Sequence, residues 1–287
     1  MRSLARLLAP LLLAALLTTG ARAEAPLRLG WTAWSDAAFV TELAATLVEE
    51  RLGQPVERVR AGIAEQYQGL VSGRIDAMLM SWQPRTHGPY LERVGNRVED
   101  LGVLYDGARL GWAVPDHVPV DRVATLADLR APAVRARLEG RIIGIDPGAG
   151  LTRLSGVALR KYGLDGYTLE TGSERSMTEA LAAAIAAGDW IVVTAWNPHW
   201  MFAAHDLRYL DDPQGALGGR EQVHALARRG LYAERPRVAG LLGRMWLPLD
   251  ELERALLDAE RRSVAEAVEA YIAAHPARVE YWLSGRP

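Results

Sequence analysis

Short apolar segments of strand length alternate with segments of helical period along this chain, and this alternation limits the fold more than any other feature. Near the start, LRLGW at residues 27–31 precedes a helical segment at 39–52, and shorter apolar runs at 56–59 and 75–80 flank a second helical segment at 64–72. Each helical segment is followed by glycine, which is typical of a helix C-terminus. The order β-α-β-α-β predicts a parallel sheet with helices on its faces.

The same alternation starts again after residue 109. Strand-like segments are predicted at 110–114, 141–145 and 190–194, and helical segments lie at 126–138, 151–162 and 176–187, the last opened by the capping-box pattern Ser176–Glu179. Loop signals such as Asp211-Asp212-Pro213 follow, and 249–274 is mostly helical. We therefore predict an α/β protein of two lobes with the ligand in the cleft between them. Residues 24–108 form lobe 1, 109–208 form lobe 2, and 209–287 return to lobe 1.

The first 23 residues are predicted to be a signal peptide rather than part of the fold. Arg2 and Arg6 precede the apolar run 7–17, and Ala21-Arg22-Ala23 has small residues where a signal peptidase cleaves. The chain has no cysteine, so it has neither a disulfide nor a lipid-modified cysteine, and we expect a periplasmic protein. A formal net charge of −2 without a basic run argues against nucleic acid as a partner.

Tryptophan recurs in the same local context. GRIDAMLMSWQP at 73–84 and GDWIVVTAWNP at 188–198 each combine a glycine, an apolar strand, a small residue, tryptophan and proline. The first predicted strand is followed by a third example of a small residue before tryptophan, Ala33-Trp34. Trp34, Trp82 and Trp196 thus lie near the carboxyl ends of strands, where open α/β sheets bind ligands.

Three tryptophan faces suit one class of guest. A single tryptophan beside a strand usually packs in the core, but the repeated context favours a cage for a quaternary ammonium group, which attracts aromatic faces and cannot donate hydrogen bonds. An anionic end of such a ligand has two candidate partners. One is the turn DPGAGL at 146–151, whose backbone N–H groups begin a helix; the other is His87 in WQPRTH. His199 is a rival for His87, or braces its own loop.

The residues indicate a binding protein rather than an enzyme. The histidines are scattered without metal-ligand spacing, no G-x-S-x-G or P-loop pattern occurs, and we expect neither metal nor cofactor. An enzyme acting on a quaternary amine remains a competing class. A sensory ligand-binding domain is a third, but it normally continues into a membrane span, and this sequence ends at Pro287.

The sequence also resembles a known family. SWQPRTHGPYLERV, GWAVPD, GRIIGIDPGAGL, TGSERSMTEAL and IVVTAWNPHWMFAAHDLRYLDDPQGALG are similar to segments of the glycine betaine/proline betaine substrate-binding proteins of bacterial ABC importers, the OpuAC-like family. The resemblance implies the two-lobed type II periplasmic-binding fold. It also implies a small betaine ligand, a permease and an ATPase on separate chains, and a monomer.

The resemblance assigns roles to particular residues. It implies that the cage consists of Trp34, Trp82 and Trp196, and that the ligand carboxylate is held by His87 and the backbone amides of Gly150 and Leu151. Related choline binders use a similar cage without a carboxylate clamp. His87 therefore favours glycine betaine or a close relative such as proline betaine or carnitine. Asp36 is matched by an acid in the choline-binding branch and keeps choline as the alternative.

Overall fold

The computed structural model describes residues 25–286. The predicted signal peptide and its cleavage site lie outside these residues. Within them, no helix combines the length and the apolar character needed to cross a membrane.

The described chain forms nine strands and twelve α-helices. The strands are β1 Leu27–Trp31, β2 Val56–Arg60, β3 Ala77–Gln83, β4 Val98–Pro115, β5 Arg141–Ile143, β6 Thr168–Glu170, β7 Val193–Asn197, β8 Leu207–Tyr209 and β9 Arg220–Arg228. The helices are α1 Ser35–Leu52, α2 Ile63–Ser72, α3 Gly88–Val94, α4 Pro132–Arg137, α5 Gly150–Lys161, α6 Glu174–Ala187, α7 Met201–Ala204, α8 Leu231–Glu234, α9 Pro236–Arg244, α10 Leu249–Arg261, α11 Val264–Ala274 and α12 Pro276–Ser284.

All strands belong to one sheet with the order β2-β1-β3-β9-β4-β7-β5-β6, and β8 pairs with β4. We call the part built on β1, β2, β3, β9 and the first half of β4 the first lobe. The part built on β5, β6, β7, β8 and the second half of β4 is the second lobe. Strand β4 pairs with β9 up to Arg109 and with β7 from Arg109 onward, so one continuous strand connects the two lobes. The lobe limits predicted from the sequence stay a prediction.

The expectation of a parallel sheet is correct for part of each lobe and wrong where the lobes join. Strand β1 is parallel to β2 and β3, and β5 is parallel to β6 and β7. Strand β9 is antiparallel to β3 and β4, and β4 is antiparallel to β7 and β8. The sequence prediction missed β9, because its alternation of charged and apolar residues follows a run of loop signals.

Several predicted element limits are wrong, and two of them lie near the ends of the second lobe's elements. Helix α6 begins at Glu174 rather than after Ser176, because the Ser173 side chain accepts a hydrogen bond from the Ser176 backbone N–H at 3.1 Å. Strand β7 begins at Val193 rather than Trp190, which places Trp196 inside the strand. The prediction that 249–274 is mostly helical is confirmed: the segment consists of α10 and α11, and Ser263 caps the second helix.

Helix α1 packs against the strands of the first lobe, and the C-terminal helices pack against it in turn. Its buried apolar side chains include Phe39, Leu43 and Leu47, and it ends at Gly53 in the left-handed conformation with φ of 68°. Helices α9, α10 and α11 pack against it. The α1 N-terminus, by contrast, points to the second lobe, as its hydrogen bonds below show.

Asp76 ties together three strands of the first lobe. Its carboxylate, 4% exposed, accepts hydrogen bonds from Arg28 on β1 and Arg228 on β9, and it precedes β3. Although burial alone would raise the pKa of Asp76, these arginines hold it below its usual range. The stability that the carboxylate contributes is therefore present at neutral pH and is lost as the pH falls through the lowered pKa.

We expect Asp76→Asn to lower the free energy of unfolding by about 2–3 kcal/mol at neutral pH, because two arginines lose their buried anionic partner. Urea denaturation followed by tryptophan fluorescence measures this. Asp250→Asn is the matched control, since its ion pair with Arg254 is exposed and should contribute less than about 0.5 kcal/mol. Equal losses in the two variants would contradict the role given to Asp76.

Candidate ligand-binding site

A small cavity lies between the two lobes and is lined by side chains of both. Its limited size suits a small molecule. Its walls are mostly apolar, with a few polar groups. The lining residues are Trp34, Asp36, Trp82, Thr86, His87, Leu110, Ile145, Ala149, Gly150, Leu151 and Trp196.

All six residues named from the sequence line this one cavity. The first lobe supplies Trp34, Trp82 and His87, and the second supplies Gly150, Leu151 and Trp196. Each is buried. Leu110 and Ile145 were not predicted, because apolar residues within predicted strands have no distinctive ligand chemistry, and Thr86 and Ala149 lie in the predicted motifs WQPRTH and DPGAGL without having been named as ligand contacts. It noted Asp36 without including it among the ligand-binding residues.

The two tryptophans that the first lobe contributes to the cavity have their indole N–H groups occupied by protein atoms. Trp34 precedes α1, and its Nε1 donates to Asp146 Oδ2 at 2.8 Å, across the cleft. Trp82 lies near the end of β3, and its Nε1 donates to Met80 Sδ at 3.0 Å. Because both indole N–H groups already donate hydrogen bonds within the protein, the two rings can contact a ligand only through their π surface.

Trp196 approaches from the second lobe near the carboxyl end of β7. The His199 ring packs edge-on against it, with 4.4 Å between ring centroids. His199 Nδ1 accepts a hydrogen bond from the Met201 backbone N–H at 3.0 Å. His199 is absent from the cavity wall and instead supports the Trp196 ring and its own loop.

His87 offers one donor to the cavity. Its Nδ1 accepts a hydrogen bond from the Trp82 backbone N–H at 3.1 Å, so the proton of the neutral ring lies on Nε2. Burial lowers the pKa of His87 to about 3, against a smaller opposing effect of the Met80 backbone. At neutral pH the ring is therefore uncharged and can donate from Nε2.

Helix α5 directs its N-terminus at the same cavity. It begins at Gly150, and Ala149 before it has no side-chain oxygen to cap the helix. The first N–H groups of a helix have no partner within the helix, and the helix dipole favours an anion there. The amides of Gly150 and Leu151 are thus suited to a carboxylate.

Gly150 also permits the close approach of the two lobes. A Cβ atom at this position would lie 2.5 Å from Thr86 Cγ2 and 2.7 Å from the Thr86 carbonyl oxygen. Thr86 is itself fixed, because its backbone N–H and its hydroxyl both donate to the buried carboxylate of Glu221. Glycine is required here by the neighbouring lobe rather than by backbone conformation.

Further hydrogen bonds join the lobes around the cavity. Tyr90 donates to the Gly148 carbonyl at 3.0 Å, and Arg153 donates to the Thr86 carbonyl at 3.2 Å. The Ser35 backbone N–H donates to Glu174 Oε2 at 2.8 Å. The lobes are thus in direct contact across the cleft in this structure.

Asp36 is the one carboxylate in the cavity wall of the described chain. It is fully buried, and the Tyr105 hydroxyl donates to its Oδ2 at 2.9 Å, while Oδ1 has no hydrogen-bond partner. Burial and then the nearby charge of Glu174 raise the pKa of Asp36 to about 6. The cavity therefore contains an acidic group whose ionised form is not fully compensated.

Comparison with known proteins gives concordant matches. The family model described as the substrate-binding domain of ABC-type glycine betaine transport systems matches residues 25–274. The glycine betaine/carnitine transport binding protein GbuC of Listeria monocytogenes is 34% identical over 147 residues, which is 50% of this chain and 49% of that relative. The match thus spans about half the length of this curated relative.

Two solved structures extend the similarity to the whole fold. Lactococcal OpuAC in its closed conformation with glycine betaine matches with a TM-score of 0.83 and 30% identity, over 91% of this chain and all of that chain. An ABC-transporter choline-binding protein in complex with choline also gives 0.83, with 27% identity over 91% of this chain and 92% of that one. The predicted two-lobed type II periplasmic-binding fold is confirmed.

Proposed function

Because the chain belongs to the family of substrate-binding domains of ABC-type glycine betaine transport systems, we propose that it captures glycine betaine, or a related betaine such as proline betaine or carnitine, for an importer. The observation that carries this choice is His87, a neutral donor in the same cavity as three tryptophans. The family consists of transport components, which agrees with the prediction that the chain is not an enzyme.

The cationic end of the ligand lies against Trp34, Trp82 and Trp196. A trimethylammonium group spreads its charge over its methyl groups, so removing its water is less unfavourable than for a primary ammonium. Each face contributes about 0.5–2 kcal/mol to binding. Three faces therefore give at most about 6 kcal/mol, which is less than the roughly 8 kcal/mol of a micromolar complex, so the other end of the ligand must also be bound.

The carboxylate end lies against His87 Nε2 and the amides of Gly150 and Leu151. These are neutral donors in a desolvated site, and a hydrogen bond to a charged group there contributes about 1.5–3 kcal/mol. Because the donors come from both lobes, a bound betaine stabilises the state in which the lobes are in contact. The permease of the importer then recognises the closed, ligand-bound state.

The test compares glycine betaine with choline on the wild type and on His87→Ala by titration calorimetry. We expect the mutation to weaken betaine binding about 10- to 100-fold, because one charge-assisted hydrogen bond is lost. Choline has no carboxylate, so its affinity should change much less. An equal loss for both ligands would contradict the clamp and indicate a structural role for His87.

The same pair of proteins gives a pH prediction. The pKa of His87 is lowered to about 3, so the ring stays neutral across the usual range of measurement. The ratio of betaine affinities between the wild type and His87→Ala should therefore be constant from about pH 5 to pH 8. A ratio that changes near pH 6.5, the ordinary pKa of histidine, would show that a charged imidazolium holds the carboxylate.

Choline is the second candidate, and Asp36 is the observation that favours it. Asp36 belongs to the cavity wall and has an oxygen, Oδ1, without a hydrogen-bond partner, so its carboxylate can accept a hydrogen bond from the hydroxyl of choline, whereas glycine betaine has no donor. Choline binding that is tighter than betaine binding and indifferent to His87→Ala would move the protein to this function.

We place the protein in the periplasm as a monomer that delivers its ligand to a permease driven by an ATPase, both on separate chains. This assignment rests on the family and on the signal-peptide pattern of residues 1–23. Cell fractionation with an antibody against the protein tests it. Recovery in the cytoplasmic fraction would contradict the assignment.

A further inference from the structure

Two carboxylates from opposite lobes meet at the N-terminus of helix α1. Trp34, the residue before the helix, has no side-chain oxygen, so it cannot cap the free N–H groups. Glu174, at the start of α6 in the second lobe, takes this role, because its Oε2 accepts the Ser35 backbone N–H at 2.8 Å. The cap of α1 is thus supplied by the other lobe and exists when the lobes touch.

This cap places the Glu174 charge beside Asp36, the next residue of α1. Asp36 is fully buried in the cavity wall, and its Oδ1 has no hydrogen-bond partner. Glu174 is 7% exposed, so little water screens the repulsion between the two groups. Closure of the lobes over an empty cavity therefore brings two carboxylates together in a desolvated place.

The other groups that face Asp36 are Tyr105, the Ala37 backbone and His199, and they offset this repulsion only in part, since the pKa of Asp36 stays raised to about 6. Tyr105 on β4 donates to Oδ2 at 2.9 Å, and the Ala37 backbone lies on its own helix. His199, behind β7, has Nε2 3.2 Å from Glu174 Oε1, outside good hydrogen-bond geometry. His87, in the same cavity wall, is neutral at pH 7 because burial lowers its pKa to about 3.

We propose that Asp36 and Glu174 act together as a charge sensor that makes closure of the two lobes conditional on a cation in the cavity. A trimethylammonium group in the cage lies close to Asp36 in the cavity wall and compensates both carboxylates. A guest of the same shape without the charge leaves them in repulsion. The inference rests on the proposed function and extends it, since it adds the second lobe's Glu174 as a determinant of which guests close the cleft.

The test uses glycine betaine and the anion of tert-butylacetic acid, in which carbon replaces the quaternary nitrogen. Both have the carboxylate for His87 and the same shape, and they differ in the positive charge. Titration calorimetry gives the affinity ratio of the two ligands for the wild type, Asp36→Asn and Glu174→Gln. The amide of Glu174→Gln can still accept the Ser35 N–H, so the change removes the charge and retains the cap.

We expect the wild type to prefer glycine betaine strongly, and each variant to reduce this preference at least about fivefold, because like charges in a desolvated site interact by more than one pKa unit. Glu179→Gln, on the same helix α6 but exposed, is the matched control and should keep the wild-type ratio. Thermal denaturation of each variant verifies that it is folded.

A second readout needs no mutation. Burial, and after it the Glu174 charge that the other lobe supplies, raise the pKa of Asp36 to about 6 in this structure, so we expect closure to take up a proton and acidification to favour it. Wild-type affinity for the tert-butylacetate anion should thus rise about threefold or more from about pH 8 to pH 5.5. In Asp36→Asn this rise should disappear.

Betaine binding by the wild type with an unchanged ligand preference in both variants, or with a pH-independent affinity for the tert-butylacetate anion, would overturn the inference and leave the proposed function intact. Failure of glycine betaine to bind the wild type would overturn the proposed function, and the inference with it. The two failures are therefore distinguished by one titration.

Discussion

Gly150→Ala is expected to weaken glycine betaine binding about 10- to 100-fold. The added Cβ would lie 2.5 Å from Thr86 Cγ2 and 2.7 Å from the Thr86 carbonyl oxygen, both across the cleft. Thr86 cannot yield easily, because Glu221 holds it by two hydrogen bonds. Overpacking of this kind costs about 1–3 kcal/mol, and it acts on the state in which the lobes touch. The backbone N–H proposed to bind the carboxylate is retained, so the loss reports on closure.

Gly156→Ala is the matched control on the same helix. A Cβ there would meet Arg160 Nη1 at 3.7 Å, an ordinary contact within its own lobe. Alanine is more favourable than glycine in a helix, so neither variant should have a lower melting temperature. Titration calorimetry measures the glycine betaine affinity of both variants. Equal betaine affinities for Gly150→Ala and Gly156→Ala would contradict the idea that this contact governs closure.

Trp196→Ala is expected to weaken glycine betaine and choline to the same extent, about 5- to 30-fold. The change removes one face of the cage, worth about 0.5–2 kcal/mol to a desolvated cation, together with apolar surface in contact with the methyl groups. Both ligands carry the trimethylammonium group, so both lose this interaction. Trp196→Phe keeps a weaker face and should fall between the wild type and the alanine variant.

The control for this prediction is Trp190→Ala, on the same segment of the chain. Trp190 lies outside the cavity and packs under the Arg137 guanidinium, 5.2 Å from the ring centroid. Its removal should leave both affinities unchanged. Trp196→Ala should differ from His87→Ala, which weakens betaine selectively. A loss confined to betaine in Trp196→Ala would argue against a cage built from this ring.

The sequence contains enough information to predict that these side chains come together. Trp34, Trp82 and Trp196 each lie near the end of a strand, and the ends of neighbouring strands meet at one edge of a sheet. The glycines at 53, 73 and 188 end their helices in the left-handed conformation, as expected from their positions. These features depend on local patterns, which a single sequence displays.

The parts that the sequence did not predict depend on pairings between distant residues. Glu174 caps a helix whose first residue is 139 positions away, and it follows two residues that read as a loop. Glu221 is a buried charge on β9, a strand whose pattern resembled an exposed segment. Strand β4 is 18 residues long, with bulges that interrupt its alternation, so five residues of it were recognised. None of these features has a signature within a short window.

The most direct measurement of the central claim is a crystal structure of the protein grown with glycine betaine. The account predicts one betaine in the cavity between the lobes. Its methyl groups should contact Trp34, Trp82 and Trp196, and its carboxylate should accept hydrogen bonds from His87 Nε2 and the Gly150 and Leu151 amides. An empty cavity at saturating betaine, or a carboxylate directed away from His87, would contradict it.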